Sequence, residues 1–236
     1  MSTLFALLLA LLAGQPAEAD ASPAPAETAG PVVVELFTSQ GCPMCPGANA
    51  LLGELADEPG VIAVAYGVSY WDVYGWTDEF AMAEFAARQQ AYVDTGEAHR
   101  VYTPHFVVNG SPEKLRYSQE RIRTAVASAA PLPVEAALSP AETGWTLTLD
   151  GPARIAPAQI WRVDFEPGLI EREIGGGPNE GKTVSHYQTA RALTEIGAWS
   201  GGPLTLAIPP APAGRDTAIL IQDGPGGPLL AAAHAH

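Results

Sequence analysis

Apolar and polar positions follow two rhythms along this chain, and the rhythm changes near residue 130. Val32 to Phe37 is a compact apolar run broken only by Glu35, which predicts a buried strand. A turn through Ser39-Gln40-Gly41 follows. Ala48, Leu51, Leu52, Leu55 and Ala56 then recur at three- and four-residue spacing, one face of a helix that Pro59-Gly60 ends. Val61 to Val68 is apolar at nearly every position, as in a strand covered on both faces. Asp78 and Glu79 are placed to open a second helix, with Met82, Phe85, Ala86, Tyr92 and Val93 along its inner stripe. Phe106 to Val108 predicts a third strand and Asn109-Gly110 a tight turn. Ser118 is placed to cap a third helix lined by Ile122, Ala125, Val126 and Ala129.

From Pro131 onward prolines break the chain and the period drops to two. Trp145, Leu147 and Leu149 alternate with Thr146 and Thr148, and Trp161, Val163 and Phe165 alternate with Arg162 and Asp164. Leu204 to Ile208 and Ala218 to Ile221 add two more strands among Gly/Pro turns. The expectation is an α/β domain over residues 31–130, followed by a smaller all-β, sandwich-like domain over residues 131–236. No cysteine and no evident catalytic group falls in the second.

The first thirty residues stand apart from this pattern. Leu4 to Leu12 is a short apolar run followed by Gly14, Pro16 and Ala17-Glu18-Ala19, a small-residue cleavage pattern. Residues 1–19 read as a signal peptide cut before Asp20, and residues 20–30 as a flexible leader rich in Ala and Pro. The protein is therefore expected to be exported, to a periplasm or the medium. The apolar run is too short for a stable span and no later segment offers one, so no membrane insertion is expected after cleavage. The formal net charge of −14, with Lys114 and Lys182 the only lysines, argues against nucleic acid as a partner. The 47% hydrophobic content is enough for a packed core, although much of it is alanine.

The only two cysteines lie in Cys42-Pro43-Met44-Cys45, between the first strand and the first helix. That context places Cys42 at the exposed start of a helix, where free N–H groups and the positive end of the dipole favour a thiolate. Thiols so placed titrate between about 3.5 and 7.5 rather than near 8.5. Cys45, one turn inside, would be the buried resolving thiol. Two other readings stay open: a metal half-site completed by His99, His105 or His186, and a structural disulfide across a short loop.

Val33 to Thr38 followed by Gly41-Cys42-Pro43-Met44-Cys45 resembles the opening of glutaredoxins. Taken whole, the chain is more similar to a family of secreted bacterial thioredoxin-like proteins classed as a domain of unknown function. The stretches that carry this are Phe37-Thr38-Ser39-Gln40-Gly41-Cys42, Cys45-Pro46, Tyr70-Trp71-Asp72, Gly75-Trp76, Tyr102-Thr103-Pro104 and Val107-Val108-Asn109-Gly110. Weaker similarity runs through Gly181-Lys182-Thr183 and His186. The resemblance implies a thioredoxin-like first domain in which Thr103-Pro104 is cis, opens the third strand and faces the cysteines to hold a substrate backbone. The chain departs from the family at Gly67, Ser69, His105 and Asn49, where other polar groups are usual.

The leading expectation is a thiol–disulfide oxidoreductase acting on protein thiols. Cys42 would attack, Cys45 would resolve, and Thr103 and Pro104 would bind substrate. The Cys42–Cys45 dithiol is the redox centre, so no bound cofactor is implied, and the partners are protein clients and a redox partner. The alternatives are a copper or zinc protein using Cys42, Cys45 and His105, and a binding module in which the β region recognises a partner. Glu35 is a candidate acid for proton transfer to Cys45, against the simpler reading of a satisfied carboxylate. Trp71, Tyr74 and Trp76 read as packing aromatics or as a client platform. The terminal Ala-His-Ala-His, with His234 and His236, reads as a disordered tail.

Overall fold

The computed structural model describes residues 30–96, 100–112 and 117–235. The expected cleavage site, Lys114, His99 and His236 lie outside the described residues. In chain order the elements are β1 (Val32–Thr38), α1 (Cys45–Ala56), β2 (Val61–Gly67), α2 (Ala83–Thr95), β3 (His105–Val108), β4 (Ser111–Pro112) and α3 (Gln119–Ala127). Then come β5 (Glu135–Pro140), β6 (Trp145–Asp150), β7 (Ala158–Glu173), β8 (Thr183–Trp199), β9 (Leu204–Ile208), β10 (Asp216–Gln222) and β11 (Leu229–Ala235). Short 3-10 turns span Ser69–Tyr74 and Gly177–Asn179.

The class is mixed α/β, with few helices and one large sheet of order β11-β10-β7-β8-β2-β1-β3-β4. A second sheet has the order β5-β6-β9. The boundary read at Ala130 does not divide the large sheet, because β7, β8, β10 and β11 share it with β1 to β4. The seam is narrow: β2 and β8 run parallel and pair only at Ala65 and Thr189. α1 lets β8 come close because position 53 has no side chain. A Cβ on Gly53 would lie 2.6 Å from the Tyr187 ring.

Three apolar layers follow from strand and helix periods. On one face of β1, β2 and β3, Val34, Leu36, Ala63 and Phe106 pack against Leu51 and Leu55 of α1 and Ile122 of α3. On the other face Phe85 and Tyr92 of α2 meet Phe37, Val64, Val163 and Leu220. Alternation along β10 divides that strand between two cores: Ala218 and Leu220 face α2, while Ile219 and Ile221 pack with Leu147, Leu149 and Ile208 of the small sheet. The β-rich half is thus layered like a sandwich, with one layer continuous with the sheet of the first half. The large sheet curls until its far strand meets the β3–β4 turn, where the Leu229 N–H donates to the Asn109 carbonyl at 3.0 Å.

Several expectations need correction. α2 begins at Ala83 and not at Asp78, whose carboxylate is engaged elsewhere. Ser118 occupies the N-cap of α3, yet its side chain makes no capping bond. The terminal residues up to Ala235 form buried β11 instead of a loose tail. There the His234 ring tilts onto Phe165 at 5.4 Å and its Nε2 lies 3.3 Å from Asp216.

Candidate dithiol site

β1 delivers Thr38 to the point where the chain turns, and α1 starts at Cys45 with Met44 as its N-cap and Pro46 in its first turn. Cys42 therefore precedes the helix by two residues more than the spacing alone suggested. Two tight turns hold it: the Cys42 N–H donates to the Ser39 carbonyl at 3.1 Å, and the Cys45 N–H to the Cys42 carbonyl at 3.2 Å. Both cysteines are reduced and buried, with Cys42 only 1% exposed. The expected exposure of Cys42 is thus not found. Trp71, in the Ser69–Tyr74 turn, sits over the adjacent Gly41, where a Cβ would come within 3.1 Å of the tryptophan Cβ.

The two sulfurs have opposite environments. The Cys42 thiol is lowered to about 7, first by a hydrogen bond from Cys45, then, against the opposing cost of burial, by Thr103 and the Met44 and Cys45 N–H groups. Those N–H groups stand at the start of α1, where the positive end of the helix dipole adds to their effect. The Cys45 thiol is pushed well up, chiefly by desolvation and then by its neighbour Cys42. Thr103 is aimed by Trp71, whose Nε1–H donates to the threonine Oγ1 at 2.7 Å and leaves the hydroxyl proton for Cys42. The Thr103–Pro104 bond is cis, as expected, and Pro104 is buried at the head of β3. Beneath Cys45, the Thr38 hydroxyl donates to Asn49 Oδ1 at 2.8 Å. Asn49 Nδ2 in turn donates to the Ser185 carbonyl of β8 at 2.9 Å.

The residues that hold the loop were not singled out from the sequence. Asn179, fully buried in the β7–β8 connection, donates from Nδ2 to the carbonyls of Gln40 at 2.8 Å and Cys42 at 3.0 Å. Lys182 Nζ donates to its Oδ1 at 3.1 Å. Asp78 Oδ2 accepts the Gln40 N–H at 2.8 Å and Oδ1 the Phe80 N–H at 2.9 Å. Burial raises the Asp78 carboxyl to about 6 in spite of those bonds. Trp76 Nε1 donates to Gln40 Oε1 at 2.7 Å. The run Gly175-Gly176-Gly177 before Asn179 signals a close backbone approach, and Gly175 indeed lies against the Trp76 ring.

Glu35 takes the satisfied reading. Its carboxylate, fully buried, accepts Arg88 Nε at 2.6 Å, Arg88 Nη2 at 3.1 Å and the Tyr92 hydroxyl at 2.6 Å. Arg88 also donates to Gln222 Oε1 at 3.0 Å, so the cluster joins β1 and α2 to β10. His105 is buried between Tyr102 and Phe37, at ring distances of 4.6 and 5.7 Å, and burial lowers it to about 4. His186 stacks edge-on against Phe80 at 4.9 Å and is likewise lowered to about 4, by burial first and then by Arg172 and Arg191. Among the described residues no cluster of three or more His, Cys, Asp or Glu side chains is disposed to hold a metal ion. Of the aromatic trio, Trp71 and Trp76 are half-buried and hydrogen-bonded, while Tyr74 is 61% exposed beside Val73. Met44, between the cysteines, is also exposed.

Comparison with known proteins places this geometry in context. Residues 33–222 match the model of the family described as "Protein of unknown function (DUF1223)". No curated protein matches the chain. A similar solved structure is the X-ray crystal structure of protein AGR_C_4864 from Agrobacterium tumefaciens, 26% identical, covering 89% of this chain and 96% of that one with a TM-score of 0.71.

Proposed function

We propose, for a chain that belongs to the DUF1223 family and inherits no activity from its name, an exported thiol–disulfide oxidoreductase. The observation that carries the proposal is the inequality of the two neighbouring sulfurs: Cys42 is lowered to about 7 and Cys45 is raised well above its ordinary value. An inert disulfide has no use for that division, whereas exchange chemistry requires it. The order β1-α1-β2 and then β3-β4-α3, with the cysteines between β1 and α1 and a cis-proline heading β3, supports a thioredoxin-like reading of residues 31–130. Export rests on the Leu4–Leu12 run and the Ala17-Glu18-Ala19 pattern.

In the reductive direction the Cys42 thiolate attacks one sulfur of a client disulfide. A mixed disulfide forms and one client thiolate leaves. Cys45 then gives its proton to the client thiolate already released and attacks the Cys42 sulfur, closing the Cys42–Cys45 disulfide and releasing the second client thiolate. Two electrons pass to the client, and a dithiol redox partner restores the pair; the oxidative direction is the reverse. Exposed Met44, Val73 and Tyr74 give an apolar rim on which a protein client can rest. The test is exchange between glutathione and a disulfide-bonded peptide, catalysed by the mature chain. Turnover in the wild type, absent in Cys42→Ser, supports the reading, and a wild type without turnover overturns it.

A further inference from the structure

Asn179 lies 137 residues from Cys42 in sequence, yet both of its amide donors are spent on the cysteine loop. The side chain is 0% exposed. Its orientation is fixed by chemistry: Lys182 can only donate, so the amide oxygen faces Lys182 and the nitrogen faces the two carbonyls. The Cys42 carbonyl receives two donors, Asn179 Nδ2 and the Cys45 N–H. That same Cys45 N–H also helps to lower the Cys42 thiol. Without Asn179 the carbonyl would claim the shared N–H more fully, and the loop would lose the bond that sets its height above α1. The segment leading to Asn179 is fitted to the opposite wall, since a Cβ on Gly176 would collide with the Gly75 carbonyl.

We infer that Asn179, in the β7–β8 connection, is the positioning residue that aims the Met44 and Cys45 N–H groups at the Cys42 sulfur, an inference that rests on the dithiol being the redox centre. The β-rich half then completes the redox site. It touches no client and no reacting atom, and it tunes the thiol through the backbone. A hook that served only to fasten the hairpin would change stability and leave the thiol untouched.

The experiment is an ultraviolet titration of the Cys42 thiolate in full-length Cys45→Ser background, comparing Asn179 with Asn179→Ala and Asn179→Asp. The alanine removes both donors without adding charge and carries the comparison; the aspartate keeps the shape but adds an anion, so its shift should exceed that of the alanine. The expected result is a higher midpoint in both variants, with the thiolate fraction at neutral pH falling about fivefold in the alanine, the equivalent of one hydrogen bond of ordinary net strength. With both cysteines present, the equilibrium with glutathione should move by a similar factor toward the disulfide. Lys182→Met, which frees the amide to turn, should move the midpoint the same way by less. Folded Asn179 variants with a wild-type midpoint overturn the inference. So does an unfolded Asn179→Ala together with a Lys182→Met midpoint that has not moved. The titration needs no client, so it stands or falls separately from the exchange assay: a shifted midpoint with no wild-type exchange would sink the oxidoreductase and keep the positioning role.

Discussion

Two buried polar centres lie along one line, Glu35 in the middle of β1 and Cys42 just past its end, and both reach across the seam into the second half of the chain. Around Glu35 every strong acceptor meets a donor: the carboxylate takes Arg88 twice and Tyr92 once, and Arg88 passes the remainder to Gln222. Around Cys42 the donors are arranged unequally, so that one sulfur is favoured as an anion and its neighbour as a thiol. An acid matched to its cation yields a rigid tie with no chemistry to offer. Graded pairing suits the nucleophile proposed for Cys42. The difference lies in how the partners are shared, since burial is nearly total at both sites.

The largest expected effect breaks the reactive centre. In Cys45→Ser the attack by Cys42 cannot be resolved, and mixed disulfides with peptide clients should accumulate on non-reducing gels. Cys42→Ser should trap next to none, because the remaining thiol is held protonated. Equal trapping by the two variants would remove the assigned roles.

The next effect breaks the inert centre. Arg88→Met leaves the Glu35 carboxylate buried without its cation and should cost about 3–5 kcal/mol in urea unfolding. The double variant Glu35→Leu with Arg88→Met should recover most of that loss, since a buried pair contributes little net stability over apolar residues of similar volume. Thiolate titration of Cys42 should not move in the double variant. If it moves, the two centres are coupled and the contrast between them fails.

A smaller effect concerns Asp78. Its folded pKa of about 6 lies above the ordinary value of 3.8, so its contribution to stability is fully present at low pH and is lost as pH rises through about 6. The difference in unfolding free energy between wild type and Asp78→Asn should therefore shift by about 1 kcal/mol in favour of the wild type between neutral pH and pH about 5. A pH-independent difference would show that the carboxyl is not desolvated as its surroundings imply.

The smallest effect sharpens the graded centre. Thr103→Val removes the hydroxyl that Trp71 aims at Cys42, which should raise the thiol and slow alkylation by iodoacetamide below pH about 7 by roughly threefold, less than one full hydrogen bond. The wild-type rate should climb with pH and level off above about 7. An unchanged profile in the variant would assign Thr103 to substrate contact alone.

Much of the first half was legible because its signals are local. Strand β1, helix α1, strand β2 and the Asn109-Gly110 turn all declare themselves within a dozen residues, and the cysteine pair marks its own place between strand and helix. β8 did not, because it buries His186 and Thr189 among its inward residues and so blurs the period-two pattern. β11 reads as a small-residue tail because Ala231 to Ala233 carry little hydrophobic signal per residue, though Ala231 is fully buried. Asp78 looked like a helix opener, since an acid before an apolar stripe has that meaning locally; its true partner is the Gln40 N–H, 38 residues away. Asn179 gave only the local signs of a turn. Long-range capture of a loop leaves no periodic trace.

The bonds that close the cysteine loop from above span 137 and 139 residues, whereas the turns that form it span three. Contacts of such different reach do not form together, because the longer loop carries the larger closure entropy and waits for the strands between. During synthesis the chain presents residues 42–45 long before Asn179 exists. The thiols of the growing chain accordingly pass through a period of unrestrained access, and shielding arrives only when the β7–β8 connection docks. Pulsed alkylation through refolding should see Cys42 labelled fast at first, slowing to its native rate only after the backbone amides of β1 and β2 have stopped exchanging.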